Sequence, residues 1–188
     1  MTYTLASPTI GCPDVTTVVT SGNVGTPNAL TQLPSVTTEA KLGQVVEAWD
    51  ATLGDANFIL LQIPKSTVVT VGLLYQFDTN YTITLIPAGG TSKNTGVAVV
   101  AAYTAVASNA TAAQYAWFVI RGTVPVLKTA VSVSPASAIY ISATAGRIKV
   151  VSSAGQQILG GRSNNTATVS GGQSTVNIYL NYSSIEGA

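Results

Sequence analysis

A chain of 188 residues, of which 46% are hydrophobic, is long enough to bury a core and too apolar to be disordered throughout. Only 8% of the residues are charged and the net charge is +1, which argues against a nucleic-acid binder, because such proteins carry a basic surface. The chain has no histidine and one cysteine. These counts exclude a Ser-His-Asp or Cys-His catalytic set, an intrachain disulfide and a thiolate metal site.

Residues 1–40 are predicted to form an extended N-terminal arm. They are rich in Thr, Ser, Pro and Gly, with prolines at positions 8, 13, 27 and 34, and proline resists regular helices and central strands. Short β-prone pieces such as VTTVVT (15–20) predict one or two short strands. In isolation this composition supports no core, so we expect the arm to be poorly ordered when free and to add a strand to a partner's sheet edge.

Residues 41–188 are predicted to form one β-domain, because short β-prone runs alternate there with turn residues. NFILLQI (57–63) is almost continuously apolar, as expected for a strand buried on both faces. The run at 96–104 is β-prone but rich in alanine, so a helix stays open as an alternative there. Asp78-Thr79-Asn80 is predicted to be a turn. Further strands are predicted at 44–49, 67–77, 81–86, 130–134, 138–142, 147–152, 156–161 and 174–182.

QYAWFVIRGTVPVL (114–127) is the most strongly patterned stretch of the chain. The alternation of a strand divides its side chains between two faces. One face is predicted to hold Tyr115, Trp117, Val119 and Arg121, and the other, purely apolar face Ala116, Phe118 and Ile120. Gly122 permits a bulge or a tight bend, and Pro125 suits an edge position or a bulge.

Long amphipathic helix patterns are absent from the sequence. The succession of short strands therefore predicts an all-β fold, either a sandwich or a partly closed barrel of about ten short strands.

No residues in the sequence indicate a catalytic, cofactor-binding or metal site, and we do not expect an enzyme. The carboxylates Glu47, Asp50 and Asp55 are close enough in sequence for a glycosidase pair or a calcium site, but solvated turn and edge positions are the better interpretation. Trp49 and Trp117, with the eight tyrosines, are consistent with a sugar-stacking platform, although core or intersubunit packing is the commoner use of such residues. The candidate interface residues are Arg121, Trp117, Tyr115 and Trp49.

The charge distribution favours self-association. Six of the seven acidic residues lie in the first half of the chain and five of the eight basic residues in the second half, either by chance or as complementary patches between identical neighbours. A surface so poor in charge is also weakly protected against association. No signal peptide or transmembrane segment is recognisable, so we expect synthesis in a bacterial cytoplasm.

Several motifs, taken in order, resemble those of decoration (cement) proteins of tailed-bacteriophage capsids. They begin with LGQVVEAWDATLGDANFILLQI and VTVGLLYQFDTN and continue with the aromatic strand AWFVIRGTVPVL. AIYIS, AGRIKV, ILGGRS and the terminal VNIYLNY follow, so that the resemblance covers residues 42–185. The Thr/Pro-rich arm is less typical of such proteins.

The resemblance implies a non-enzymatic β-domain that binds the outside of the shell where coat subunits meet, often as a trimer. The expected partners are the major capsid protein and further copies of the chain, with no nucleic acid and no membrane. The expected location is the capsid exterior of a virion. The alternatives are a tail or fibre module of a virion, for which no repeating shaft pattern is visible, and a polysaccharide-binding β-module.

Overall fold

The computed structural model describes residues 3–6, 15, 19–20, 24–25, 40–89, 96–102, 106, 109, 111 and 113–186. Every helix or strand assigned within these ranges is a β-strand, so the predicted all-β class is confirmed. The run at 96–104, for which a helix was an alternative, contains a strand at Val97–Val100. Most of the predicted arm, including Cys12, lies outside the described residues.

The strands are numbered in chain order. They are β1 (Thr4–Leu5), β2 (Val19–Thr20), β3 (Val24–Gly25), β4 (Ala40–Lys41), β5 (Val45–Asp50), β6 (Gly54–Ile63), β7 (Leu74–Phe77), β8 (Ile83–Leu85), β9 (Val97–Val100), β10 (Gln114–Leu127), β11 (Ala138–Ile141), β12 (Ile148–Lys149), β13 (Gln157–Ser163), β14 (Thr175–Asn181) and β15 (Ser184–Ile185).

Five of these strands close into a barrel. The hydrogen-bonded order runs β10, β14, β13, β15 and β9, and β9 returns to β10 through the pair Val119 and Val100. Further strands extend the sheet outside this ring, with β6, β5 and β1 beyond β10 and β7 and β8 beyond β9. The structure is therefore a partly closed barrel, as predicted.

Two apolar clusters lie on the two opposite faces of β6 and β10. The first cluster fills the closed ring with residues such as Val124, Ile178 and Ile158. The second cluster lies against the other face of β6 and β10, where β9, β7 and β8 complete a second circuit through a parallel bridge between Gln62 and Thr82. β6 contributes alternate residues to both clusters, which confirms that NFILLQI is buried on both faces.

A β-bulge in β10 exchanges the two faces of that strand. Before the bulge, Trp117 and Val119 belong to the first cluster and Phe118 to the second. The register with β6 shifts between Val119 and Arg121, and after it Val124 and Val126 belong to the first cluster. One extra residue has reversed the alternation. The prediction that Arg121 shares a face with Trp117 and Val119 is therefore wrong.

Gly122 allows β10 to approach β6 closely just after the bulge. Its φ is +115°, and a Cβ at this position would lie 2.6 Å from the Cβ of Ala56. Any other residue would meet both a backbone and a steric penalty here. The predicted role of Gly122 at a bulge or bend is confirmed, and Pro125 lies where β10 has left β6 and pairs with β14.

Residues 3–5, 15 and 19–20 join the same sheet or core as the rest of the chain, whereas β3 pairs in parallel with β4 in a separate two-stranded sheet. Tyr3 packs edge-on against Phe58 with ring centroids 5.3 Å apart, and its hydroxyl donates to the Thr123 carbonyl oxygen at 2.7 Å. Val15 is buried in the first cluster. β1 pairs with β5 and β2 pairs with β10. The predicted division of the chain at residue 40 stays a prediction.

Lys128, just beyond the end of β10, is a buried cation held by backbone carbonyls. Its side chain is 1% exposed. The ammonium nitrogen donates to the carbonyl oxygens of Val131 at 2.8 Å, Ser170 at 2.9 Å and Thr129 at 3.4 Å. A buried lysine is tolerated only when its charge is hydrogen-bonded. Lys128 therefore ties the segment at 129–131 to the loop before β14.

The two-sided burial of β10 predicts a large effect of shortening Phe118. Phe118→Ala removes a fully buried ring from the second cluster and should lower the free energy of unfolding by about 3–5 kcal/mol. Chemical denaturation followed by tryptophan fluorescence measures the loss. Val68→Ala, which shortens a side chain that is exposed, is the control and should change stability by less than about 0.5 kcal/mol. Equal effects of the two changes would contradict the placement of Phe118.

The hydrogen bonds from the Lys128 ammonium to backbone carbonyl oxygens predict that Lys128 cannot be replaced by an apolar residue of similar length without a loss of stability. Lys128→Met would leave the carbonyls of Val131 and Ser170 without the ammonium donor, at an expected cost of about 2–4 kcal/mol of unfolding free energy. Lys149→Met, at a half-buried lysine on β12, is the control. Thermal melting of the two variants should show a lower midpoint for Lys128→Met alone. An unchanged midpoint for Lys128→Met would show that these hydrogen bonds do not stabilise the fold.

Candidate functional site

The four candidate interface residues do not lie together. Trp117 is 1% exposed and belongs to the first cluster. β10 is covered on both sides, so the Trp117 ring serves the core, and its indole N–H has no hydrogen-bond partner among the described residues. As an interface candidate Trp117 is therefore wrong, and the same burial removes it from a sugar-stacking platform.

Tyr115 lies near the start of β10, whereas Arg121 lies at the middle of that strand. It pairs with Gln62 of β6 and with Val19 of β2, and its half-buried ring packs against the first cluster. Six residues of strand separate it from Arg121, or about 20 Å. Tyr115 and Arg121 therefore cannot form one compact site, and an interface role for Tyr115 stays a prediction.

Arg121 is the centre of a small hydrogen-bonded group on the outer side of the closed ring. It pairs in register with Asn57 of β6 and with Asn181 of β14. Its Nη1 donates to the Oδ1 of Asn57 at 3.4 Å, and the Nδ2 of Asn57 donates to the hydroxyl oxygen of Tyr182 at 3.0 Å. Asn57 is only 8% exposed, so its amide is a fixed link between a half-buried guanidinium and a tyrosine.

Two exposed aromatic rings belong to the same surface. Trp49 and Tyr182 are each 51% exposed. Trp49 pairs with Asp55 and Glu47 pairs with Asn57, which makes Trp49 a diagonal neighbour of Asn57, about 7–8 Å away and within reach of a large ring. Trp49, Asn57, Arg121 and Tyr182 are called the Arg121 patch below.

Tyr182 holds its place with a backbone conformation that is uncommon for a non-glycine residue. Its φ is +48°, in the left-handed region. Its N–H donates to the carbonyl oxygen of Ile120 at 3.1 Å, and its hydroxyl accepts from Asn57. The surrounding hydrogen bonds offset the local cost, and such outliers often occur at functional positions.

The three carboxylates singled out in the sequence have different environments. Glu47 and Asp55 are exposed on the face of the Arg121 patch. Asp50 is buried, and its Oδ1 accepts from the N–H groups of Thr52 at 2.8 Å and Leu53 at 2.9 Å. The prediction of a solvated position is thus wrong for Asp50, which stabilises the turn between β5 and β6. Among the described residues, no group of three or more His, Cys, Asp or Glu could hold a metal ion.

A second arginine lies on the neighbouring outer surface. Arg162 of β13 lies over the ring of Tyr179 of β14, 5.8 Å from its centroid, and the two residues pair in register. Tyr179 also pairs with Thr123 of β10, two residues from Arg121. The barrel thus presents one arginine on β10 and another on β13, with β14 between them, and each contacts a neutral side chain.

One tyrosine away from the patch has a shifted pKa. Burial in the second cluster raises the pKa of Tyr75 above its model-compound value of 10.0, and the Thr70 N–H, which donates to its hydroxyl oxygen at 2.9 Å, opposes the rise. Tyr75 is therefore neutral at physiological pH and serves the core.

Asn57 and Tyr182 were missed in the sequence. Asn57 begins an apolar run and resembles a strand-end residue, while Tyr182 follows the alternating NIYLNY strand. The signal that could have found Asn57 is an amide at the start of a strand that is otherwise buried on both faces, since a buried polar group needs partners.

Comparisons with known protein families, with curated proteins and with solved structures find no match to this chain. Within the part of the chain that the structure describes, no helix is long and apolar enough to cross a membrane.

Proposed function

We propose that this chain is a structural virion protein that binds the outside of a tailed-bacteriophage capsid and stabilises it by bridging major capsid protein subunits. The observation that carries the proposal is the Arg121 patch, in which two exposed aromatic rings lie on the same face as a half-buried arginine. Trp, Tyr and Arg are the residues that most often dominate the binding energy of protein interfaces. The ordered strand motifs that resemble decoration proteins give this interface its proposed partner.

The proposed mechanism is additive. Each copy would contact more than one coat subunit, and many copies on one shell would together raise the barrier to expansion or rupture. The proposed assembly is a homotrimer on the capsid exterior, favoured by a chain in which only 8% of the residues are charged and by the resemblance. Enzymatic activity, a cofactor and a nucleic-acid partner form no part of the proposal.

Binding of a polysaccharide is the second candidate function. The exposed rings of Trp49 and Tyr182, next to the planar polar groups of Asn57 and Arg121, favour it. Trp117 is buried and cannot belong to such a platform. The coat-binding function is preferred because the half-buried arginine suits a protein interface better.

The patch predicts that Trp49→Ala weakens attachment to particles without unfolding the protein. Retention on particles of the phage that encodes the chain, measured by sedimentation across a range of protein concentrations, should fall by about thirtyfold or more, as for a residue worth about 2 kcal/mol at an interface. The matched control is Val68→Ala, at an exposed apolar residue outside the patch, and it should be retained like wild type.

Two results would count against the proposed function. In the first, wild-type protein shows no saturable retention on the particles. In the second, wild type is retained but Trp49→Ala and Val68→Ala are retained equally well, which would move the contact surface away from the Arg121 patch. Displacement of bound protein by a soluble polysaccharide would favour the second candidate.

A further inference from the structure

The positive charge of Arg121 has no counter-ion within the described residues. Its guanidinium is half-buried and donates one hydrogen bond, to the neutral amide oxygen of Asn57. It makes no ion pair with any residue that the structure describes. A partly desolvated cation with a neutral acceptor leaves electrostatic energy to be gained from an anion, and a guanidinium has five N–H donors in a planar fork.

Asn57 restricts where that anion can bind. Both ends of its amide are occupied, by Arg121 on one side and by Tyr182 on the other, and the residue is almost fully buried. It therefore fixes one edge of the guanidinium and leaves the remaining donors for a group from outside the chain. Since the fork suits two parallel hydrogen bonds, a carboxylate matches it well.

The neighbouring charges distinguish a single carboxylate from a polyanion. Glu47 lies in register with Asn57 and Arg121, two strand spacings or about 10 Å from the arginine across the same face. Asp55 lies on that face as well, opposite Trp49. Both side chains are exposed and make no ion pair with a described residue. They would repel a nucleic acid or an acidic polymer but leave space for one isolated acidic side chain at Arg121.

The two exposed rings complete the site. Tyr182 is joined to Arg121 through Asn57, and Trp49 lies two strands from Arg121 on the same face. A protein partner that covers this face would cover both rings. Rings that exclude water around a charged hydrogen bond lower the local dielectric constant and strengthen it. The site thus combines three features. Arg121 has no ion-pair partner among the described residues, the neutral and buried Asn57 fixes its position, and Trp49 and Tyr182 present exposed rings on the same face.

We infer that Arg121 takes a single carboxylate, an Asp or Glu side chain of the coat protein, and that Asn57 is a positioning residue that holds the arginine ready without neutralising it. This inference rests on the proposed function and names the partner chemistry of the same patch.

Asn57→Asp tests the inference, because it changes the charge of the residue that positions Arg121 and leaves the size and shape of its side chain almost unchanged. A carboxylate at position 57 would accept from Arg121, and the Tyr182 hydroxyl would donate to it, so both contacts persist. The resulting intrachain ion pair would neutralise the charge of Arg121, so that the guanidinium would gain less from a carboxylate of the partner. We expect thermal stability at least equal to wild type and retention on particles reduced by about ten- to a hundredfold, the range for a hydrogen bond to a charged group.

Three matched variants separate this effect from others. Arg121→Gln, which removes the charge, should lose retention to a similar extent and should flatten its dependence on salt. Glu47→Gln, which removes a carboxylate from the same face, should be retained as well as or better than wild type. Asn80→Asp adds the same negative charge in an exposed turn and should behave like wild type.

The outcomes are distinguishable. If wild type is not retained on particles, the proposed function fails and the inference falls with it. If wild type is retained and Asn57→Asp is retained equally well, the proposed function stands and the inference is overturned. The inference is also overturned if Arg121→Gln is retained like wild type, or if a soluble glycan displaces the bound protein.

Discussion

The structure depends on the burial of β10 on both faces. This strand is the wall shared by the two apolar clusters, and its residues fill them in alternation up to Val119. Such a strand has no free side on which a charged residue can lie. The extra residue between Val119 and Arg121 relieves this constraint by reversing the alternation. It keeps Val124 and Val126 inside the closed ring and turns Arg121 outward.

The Arg121 patch follows from that reversal. With Arg121 on the outer face, its register partners are Asn57 and Asn181, and the buried amide of Asn57 connects it to Tyr182. Gly122 permits the close contact between β10 and β6 that brings Asn57 within reach. The bulge, the glycine and the left-handed Tyr182 are local departures from regular strand geometry that meet at one surface, where functional positions often concentrate.

The β class and many of the strand positions could be predicted from the sequence, since the apolar run NFILLQI and the alternation in NIYLNY directly indicate which side chains are buried. The face on which Arg121 lies could not be predicted, because Gly122 permits a bulge or a bend but does not indicate that one residue is inserted before Arg121. The burial of Trp117, Asp50 and Lys128 could not be predicted from the sequence either. Trp117 is buried by residues distant in the chain. Asp50 accepts from the nearby N–H groups of Thr52 and Leu53, and the Lys128 ammonium donates to backbone carbonyl oxygens. The Arg121 patch could be predicted only in part, because Trp49 and Arg121 stand out as residue types whereas Asn57 acquires its role from register.

The reversal of β10 can be measured by thiol accessibility in the folded protein. In a background with Cys12→Ser, the single variants Val119→Cys, Arg121→Cys and Asn181→Cys would be labelled under native conditions. The bulge predicts rapid labelling at positions 121 and 181 and strong protection at 119. Equal protection of positions 119 and 121 would show that Arg121 is buried as Val119 is, and would contradict its outward orientation.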